Sequence, residues 1–214
     1  RRRERKIEVY WDIRRDFYLE KLIKRKSNGL IKVITGIRRC GKSYLLNNIF
    51  YHHLLDSGVE ADHIIRFAFD SADDLYLIGE RLIQIEKEKR GVDPEKFMAY
   101  IRSKTTGEGI YYLLLDEIQM LDCFEAVLNG YLRKENIDVF VTGSNAKLLS
   151  KDIATEFAGR GDEIHMYPLS FAEFMSVYNG DKYTGLSEYM LYGGIPLVVL
   201  RDGAGDKATA LQNL

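Results

Sequence analysis

Apolar, β-branched runs of strand length alternate along this chain with stretches where hydrophobic residues recur every three or four positions. Between Asp16 and Lys26, Phe17, Leu22 and Ile23 sit among charged residues, which predicts a short helix closed by Asn28-Gly29. Leu30 to Thr35 reads as the first strand, and Tyr44-Leu45-Leu46 with Ile49-Phe50 begins a helix that runs through Leu55 to Ser57-Gly58. His63 to Phe69 predicts a second strand. Ser71-Ala72-Asp73-Asp74 has the form of a capping box opening one helix that carries Leu75, Ile78, Leu82 and Ile85, and Asp93-Pro94 opens another through Ile101. The third strand, Ile110 to Leu115, is continuously apolar, as expected when both faces of a parallel sheet are covered. A helix with Phe124, Val127, Leu128 and Leu132 on one face follows, and then a fourth strand, Ile137 to Thr142, leading into Gly143-Ser144-Asn145. A polar helical stretch ends at Gly159-Arg160-Gly161, and Glu163 to Tyr167 predicts a fifth strand stopped by Pro168. Only helical pieces remain: the capping box Ser170-Phe171-Ala172-Glu173, Leu186 to Tyr192, and a turn at Gly193-Gly194-Ile195-Pro196.

Strands alternating with helices predict an α/β fold with a parallel sheet and right-handed crossovers. The expected division is an N-terminal tail and leading helix (1–29), a core (30–168) and a helical lid subdomain (169–214), and 214 residues suffice for one such core and a small appendage. A net charge of −1 gives no general reason to expect nucleic acid or a membrane as partner, although two basic clusters occur, Arg1 to Lys6 and Lys21 to Lys26. Two cysteines exclude a disulfide framework and point to a reducing, cytoplasmic setting. No apolar stretch approaches the roughly 18 residues of a membrane span. The absence of an initiating Met suggests a trimmed or partial chain.

Between the first strand and its helix stands Gly36-Ile37-Arg38-Arg39-Cys40-Gly41-Lys42-Ser43, the G-x-x-x-x-G-K-[ST] spacing of a phosphate-binding loop. Its strand and helix flanks let the N–H groups of residues 36–44, ending at Tyr44, converge on a polyphosphate at a helix N-terminus. Lys42 is placed to reach the β- and γ-phosphates of ATP, and the Ser43 hydroxyl to ligate Mg²⁺.

The third strand ends in Asp116-Glu117, where Asp116 can hold Mg²⁺ through its water shell and Glu117 can polarise a water for attack on the γ-phosphate. A glutamate of that kind argues against a small-molecule kinase, which has to keep water out. Asn145 or Ser144, after the fourth strand, can orient that water or simply cap a helix. Arg160, flanked by glycines, can supply positive charge to the transition state or be a solvated loop arginine. The four histidines show no zinc-ligand spacing.

In this order, the phosphate loop (Walker A), Asp116-Glu117-Ile118-Gln119 (Walker B), Thr142-Gly143-Ser144, Gly159-Arg160 and Pro168 to Phe174 resemble the AAA-type ATPases of archaea and bacteria, near the border of AAA+ and STAND signalling ATPases. The resemblance spans Arg14 to Val199. It implies an additional-strand P-loop NTPase fold: a parallel five-stranded sheet between helices, with the fourth strand inserted between those bearing Gly36 and Asp116, and a partial helical lid. It also implies a Mg-dependent ATPase of regulatory or motor type, or alternatively a slow-turnover nucleotide-gated switch. Asn145 or Ser144 then matches the sensor position, and Arg160 the arginine finger that acts on a neighbouring subunit of a homo-oligomer. Gly194-Ile195-Pro196 is similar to the Gly-x-Pro element with which lids approach adenine. Family members often carry a further C-terminal domain, and this chain ends too early to hold one, so a protein or nucleic-acid target would be reached through that missing domain.

Overall fold

All five strands of the sheet are parallel, and their order is β2-β3-β4-β1-β5: Ile31–Thr35 (β1), Ile64–Ala68 (β2), Tyr111–Asp116 (β3), Ile137–Thr142 (β4) and Gly161–His165 (β5). This is a computed structural model, and it describes residues 13–143 and 159–213. The inserted position of β4, between β1 and β3, agrees with the topology expected from the sequence. In chain order the helices are Asp16–Arg25 (α1), a helix beginning at Lys42 (α2), Ala72–Leu77 (α3), Leu82–Glu88 (α4), Pro94–Lys104 (α5), Phe124–Tyr131 (α6), Phe171–Met175 (α7), Lys182–Tyr192 (α8), Pro196–Val199 (α9) and Ala204–Gln212 (α10). The α2 helix is built of Lys42–Tyr44, a π-helical stretch Leu45–Phe50 and Tyr51–Asp56. Close contacts divide the chain into two compact units, one of Tyr18–Gly36 and Lys42–His165, the other of the chain up to Phe17, Ile37–Gly41 and Met166–Leu214.

In the first unit the central strands are mainly apolar because both faces of the sheet are covered, and the buried charges of β1 and β4, Lys32 and Asp138, pair with each other. Every residue of β1 and of β3 is buried. On one face Val33, Phe67, Leu113, Leu115 and Val141 pack with Phe97 and Ile101 of α5 and Val127 and Leu128 of α6. On the other, Phe50 of α2 lies against Phe140 of β4 with ring centroids 4.6 Å apart. Fully burying a side chain of that size contributes about 1.5–3 kcal/mol, so the apolar runs themselves hold the sheet between its helices.

Three expectations are corrected here. Leu82 and Ile85 do not continue the helix begun at Ser71; Ser71 does cap α3, accepting from Asp74 N at 3.3 Å, but α3 stops at Leu77 and α4 is a separate helix. The break falls where Gly79 takes φ +71° and Glu80 turns inward, its buried carboxylate bridging Arg90 and Lys96 at 2.6 Å each. Burial opposes ionisation of Glu80, but the hydrogen bonds from Lys96 and Arg90 outweigh it and hold the carboxyl below its ordinary value. The fifth strand begins two residues earlier than its apolar pattern suggests, at Gly161, and ends at His165. Its polar start is held by α1, where Arg25 Nε bonds Asp162 at 2.6 Å. The helix expected at Leu186 starts at Lys182, because Asp181 accepts from the N–H groups of Tyr183 and Thr184.

The second unit holds α7 to α10. Its capping box is complete: Ser170 accepts from Glu173 N, and Glu173 accepts from Ser170 N. Leu169 N donates to Gly194 O at 2.7 Å and Tyr189 Oη to Leu169 O at 2.7 Å, which ties the turn before Pro196 to the segment before α7. The basic cluster Arg1 to Lys6, the polar helical stretch before Gly159, and Ser144 and Asn145 lie outside the described residues. No helix among the described residues is long and apolar enough to cross a membrane.

Candidate functional site

Because β1, β3 and β4 are parallel neighbours, Gly36, Asp116 and Thr142 all arrive at the C-terminal edge of the sheet, where open α/β sheets place their ligands. Gly36 leaves β1 at φ +141°, a conformation that a Cβ disfavours. The chain re-enters the unit at Lys42, the first residue of α2. Lys42 is buried, and its Nζ donates to Gly36 O at 2.9 Å, so the ammonium is folded back across the loop's entrance.

Asp116 is the centre of the site. Its Oδ1 accepts from Ser43 Oγ at 3.0 Å and from Thr142 Oγ1, and its Oδ2 accepts from Asn47 Nδ2 at 3.3 Å. Burial pushes its carboxyl above the ordinary carboxylate value, the Thr142 and Ser43 hydrogen bonds pull it back, and Glu117 adds to the rise. A buried carboxylate whose charged form is disfavoured gains from a neighbouring cation. The donors fit Mg²⁺: both are hard oxygens, and Ser43 Oγ, hydrogen-bonded to Asp116 Oδ1 at 3.0 Å, suits a direct ligand with Asp116 accepting from the ion's water shell.

Glu117 follows in a left-handed conformation, φ +53°. Its N–H donates to Thr142 Oγ1 at 3.2 Å, and its carboxylate accepts from Gln119 Nε2. Thr142, fully buried, thus holds both acids at once. Sequence reasoning left Thr142 and Asn47 without roles. The available signals were Thr142's place at a strand end and Asn47's position one helical turn beyond Ser43, on the same face of α2.

The rest of the loop belongs to the second unit. Ile37, Arg38 and Arg39 are exposed, and Arg39 takes φ +64° and donates to Asn213 O. Cys40 is fully buried; its N–H closes a turn onto Ile37 O at 3.4 Å, and its carbonyl accepts from Arg15 Nη1 at 3.2 Å. Gly41 takes φ +102°, and a Cβ there would lie 3.5 Å from Met166 Cε and 3.9 Å from Pro196 Cγ. Glycine is therefore required by backbone conformation rather than by space. Tyr44 is half-buried on the first turn of α2.

Arg160 is not brought to this cluster. It is exposed, its Nη1 donates to Asn129 Oδ1 of α6 at 3.2 Å, and its carbonyl accepts from Ile31 N at 2.9 Å. That places it at the start of β1, whereas the loop leaves the other end of this five-residue strand, about 16 Å away.

A parallel sheet with β4 between β1 and β3, a phosphate loop after β1 and paired acids after β3 define a P-loop module of AAA type. Residues 28–175 match the family model for the AAA domain, and the chain belongs to that family. An uncharacterized protein of Haemophilus influenzae is 37% identical over 89% of this chain and 45% of its own length. An uncharacterized protein of Methanocaldococcus jannaschii is 31% identical over 94% of this chain and 42% of its own. The chain therefore spans less than half the length of these relatives. Among solved structures, the Saccharomyces cerevisiae Hsp104:casein complex in its extended conformation superposes with a TM-score of 0.51 at 15% identity, over 84% of this chain and 30% of that one, a likeness of fold alone. The chain is an AAA-type, nucleotide-binding ATPase-like module.

Proposed function

We propose that this module binds ATP with Mg²⁺ and hydrolyses its γ-phosphate. The observation that carries the reading is the 3.0 Å approach of Ser43 Oγ to the buried Asp116 carboxylate, directly beside Glu117 and one residue from the Lys42 ammonium. On binding, Lys42 exchanges the Gly36 carbonyl for the γ-phosphate, while the loop N–H groups from Gly36 to Tyr44 take the remaining phosphate oxygens. Ser43 and Asp116 would hold Mg²⁺, which neutralises charge on the β- and γ-oxygens. Glu117 accepts a proton as water attacks the γ-phosphorus; the bond to the bridging oxygen breaks, and ADP and inorganic phosphate leave. Pro196 contributes to the adenine side, and Asn145 or Ser144 to positioning the water. Arg160, remote from its own loop, serves a neighbouring copy in a homo-oligomer, in a cytoplasmic setting.

A second reading, a slow nucleotide-gated switch, is favoured by the hydrogen bond from Gln119 that engages the Glu117 carboxylate. Turnover and affinity separate the two. Lys42→Ala should abolish most Mg-ATP affinity in calorimetry, and Glu117→Gln should keep affinity while turnover falls by about 10²–10⁴-fold. Unaltered binding in a folded Lys42→Ala protein would refute the loop assignment. If Glu117→Gln leaves the rate unchanged, the hydrolytic role of Glu117 is wrong; a wild-type rate below one turnover per hour selects the switch.

A further inference from the structure

Strand β2 is one of the two outer edges of the sheet. Its register with β3 and the hydrogen bond from Phe69 N to Asp116 O turn the backbone groups of residues 65, 67 and 69 inward, so those of Ile64, Arg66 and Ala68 face outward. The ends of this edge are closed: Ile64 N donates to Ala61 O, Ala68 N donates to Asp74 Oδ2 at 2.8 Å, and Ala68 O accepts from Ser71 N at 3.0 Å. Between them, Ile64 O, Arg66 N and Arg66 O have no hydrogen-bond partner among the described residues. An open edge of this kind is a template for another strand.

A trough of about 570 Å³ runs along it, with Asn47 of α2 on one wall and Tyr100, Ser103 and Lys104 of α5 on the other. Each wall carries a cation. Arg66 lies on the α2 side, its guanidinium 4.0 Å from the Tyr51 ring centroid and one N–H on Asn47 O at 3.3 Å. Lys104 lies on the α5 side, 5.8 Å from the Tyr100 centroid. Neither pairs with a carboxylate among the described residues. Two carboxylates also line the trough, one at each end: Asp74, which accepts from the Ala68 amide and keeps its charge, and Asp62 toward the start of β2, so the two cations face the stretch between them.

We propose that this edge is a docking groove for an extended acidic peptide, which adds as a sixth strand beside Arg66. Successive side chains of a strand point to opposite faces, so two consecutive acidic residues would present one carboxylate to Arg66 and the next to Lys104. Asp62 repels a carboxylate placed further toward Ile64, which sets the register of the pair. A nucleic-acid backbone could meet both cations but offers no donor–acceptor pair for the Arg66 main chain. The proposal does not rest on the nucleotide reading: Asn47 touches both, holding Arg66 through its carbonyl and Asp116 through its side-chain amide, but neither Arg66 nor Lys104 is assigned to that site.

The test uses the full chain and a blocked hexapeptide, acetyl-Thr-Val-Asp-Glu-Val-Thr-amide, against its Asn-Gln counterpart, with calorimetry and amide hydrogen exchange. The acidic peptide should bind with saturation, slow exchange at the Arg66 amide, and exceed the neutral peptide by about tenfold or more. Lys104→Gln and Arg66→Gln should each remove about a tenfold share of that preference, with nucleotide turnover in Lys104→Gln unchanged. Methylating the peptide's edge-facing amides should abolish binding to the unaltered protein, which removes any question of misfolding. Equal affinity of the two peptides, binding without Arg66 protection, no binding at millimolar peptide, or displacement by oligothymidylate would each overturn the proposal.

Discussion

Asp116→Asn should make the ligand-free protein more stable while destroying its response to Mg-nucleotide. The side chain is buried, and burial disfavours its charged form. Each unit by which a carboxyl is lifted costs about 1.4 kcal/mol of folding stability at pH values where the group is ionised. The sign follows from the direction of the shift. A folded-state value above the unfolded one means that charging Asp116 costs stability as pH rises, and the penalty disappears as pH falls below that value. Asparagine removes the charge and keeps the oxygen that accepts from Ser43 and Thr142. It disturbs only the Asn47 bond, worth about 1 kcal/mol, and Asn47 can turn its own amide oxygen toward the new amide. The net expectation is a gain in stability, seen as a higher melting temperature of the ligand-free variant at pH values where Asp116 is ionised. Wild-type protein at a hundredfold excess of Mg-ATP over Kd should gain about 2.7 kcal/mol, roughly 5–10 °C, and the variant should lose the magnesium-dependent part. Thermal melts with ATP plus EDTA and with ATP plus Mg²⁺ measure both effects. A ligand-free variant melting several degrees lower, or one retaining the full magnesium shift, would refute the assignment of Asp116 as a cation-binding acid whose charge opposes folding.

Thr142→Val keeps shape but removes a hydrogen bond that lowers the Asp116 carboxyl, so the loss of Mg-ADP affinity on acidification should begin at a higher pH than in wild type; superimposable calorimetric pH profiles would contradict this. Gly194→Ala would put a Cβ 2.1 Å from the Leu169 carbonyl oxygen, a backbone atom, and should cost about 1–3 kcal/mol, seen as a fall of about 2–12 °C in melting temperature. Arg160→Ala and Lys42→Ala proteins, each inactive alone, should recover turnover when mixed, because a site with intact Lys42 then meets a neighbour's Arg160; co-assembly without recovery would leave Arg160 a structural residue bonded to Asn129.

The contiguous parts of this protein were legible in its sequence because local chemistry decides them. A strand, six loop residues and a helix whose first two residues complete the motif follow one another without interruption, so the phosphate loop could be recognised before any folding was considered. Asp116-Glu117 stood out because two acids close a run of six apolar residues, and Ser71, Asp93 and Ser170 announced helix starts through short-range capping. Other features depend on residues far apart in the chain. Asp116 takes its character from Ser43, 73 positions before it, and from Thr142, 26 positions after it, and only the insertion of β4 between β1 and β3 makes them neighbours. The early start of β5 rests on an Arg25–Asp162 pair spanning 137 positions, and the break between α3 and α4 on a glutamate whose partners lie 10 and 16 residues on. Arg160 reads from its glycines as a loop arginine, and strand direction is what carries it to the opposite end of the sheet from its own phosphate loop. Sequence pattern determines which segments bury an apolar face, because burial needs only the right periodicity. Which polar groups then meet is decided by strand order and register, and these are set when all the elements pack at once.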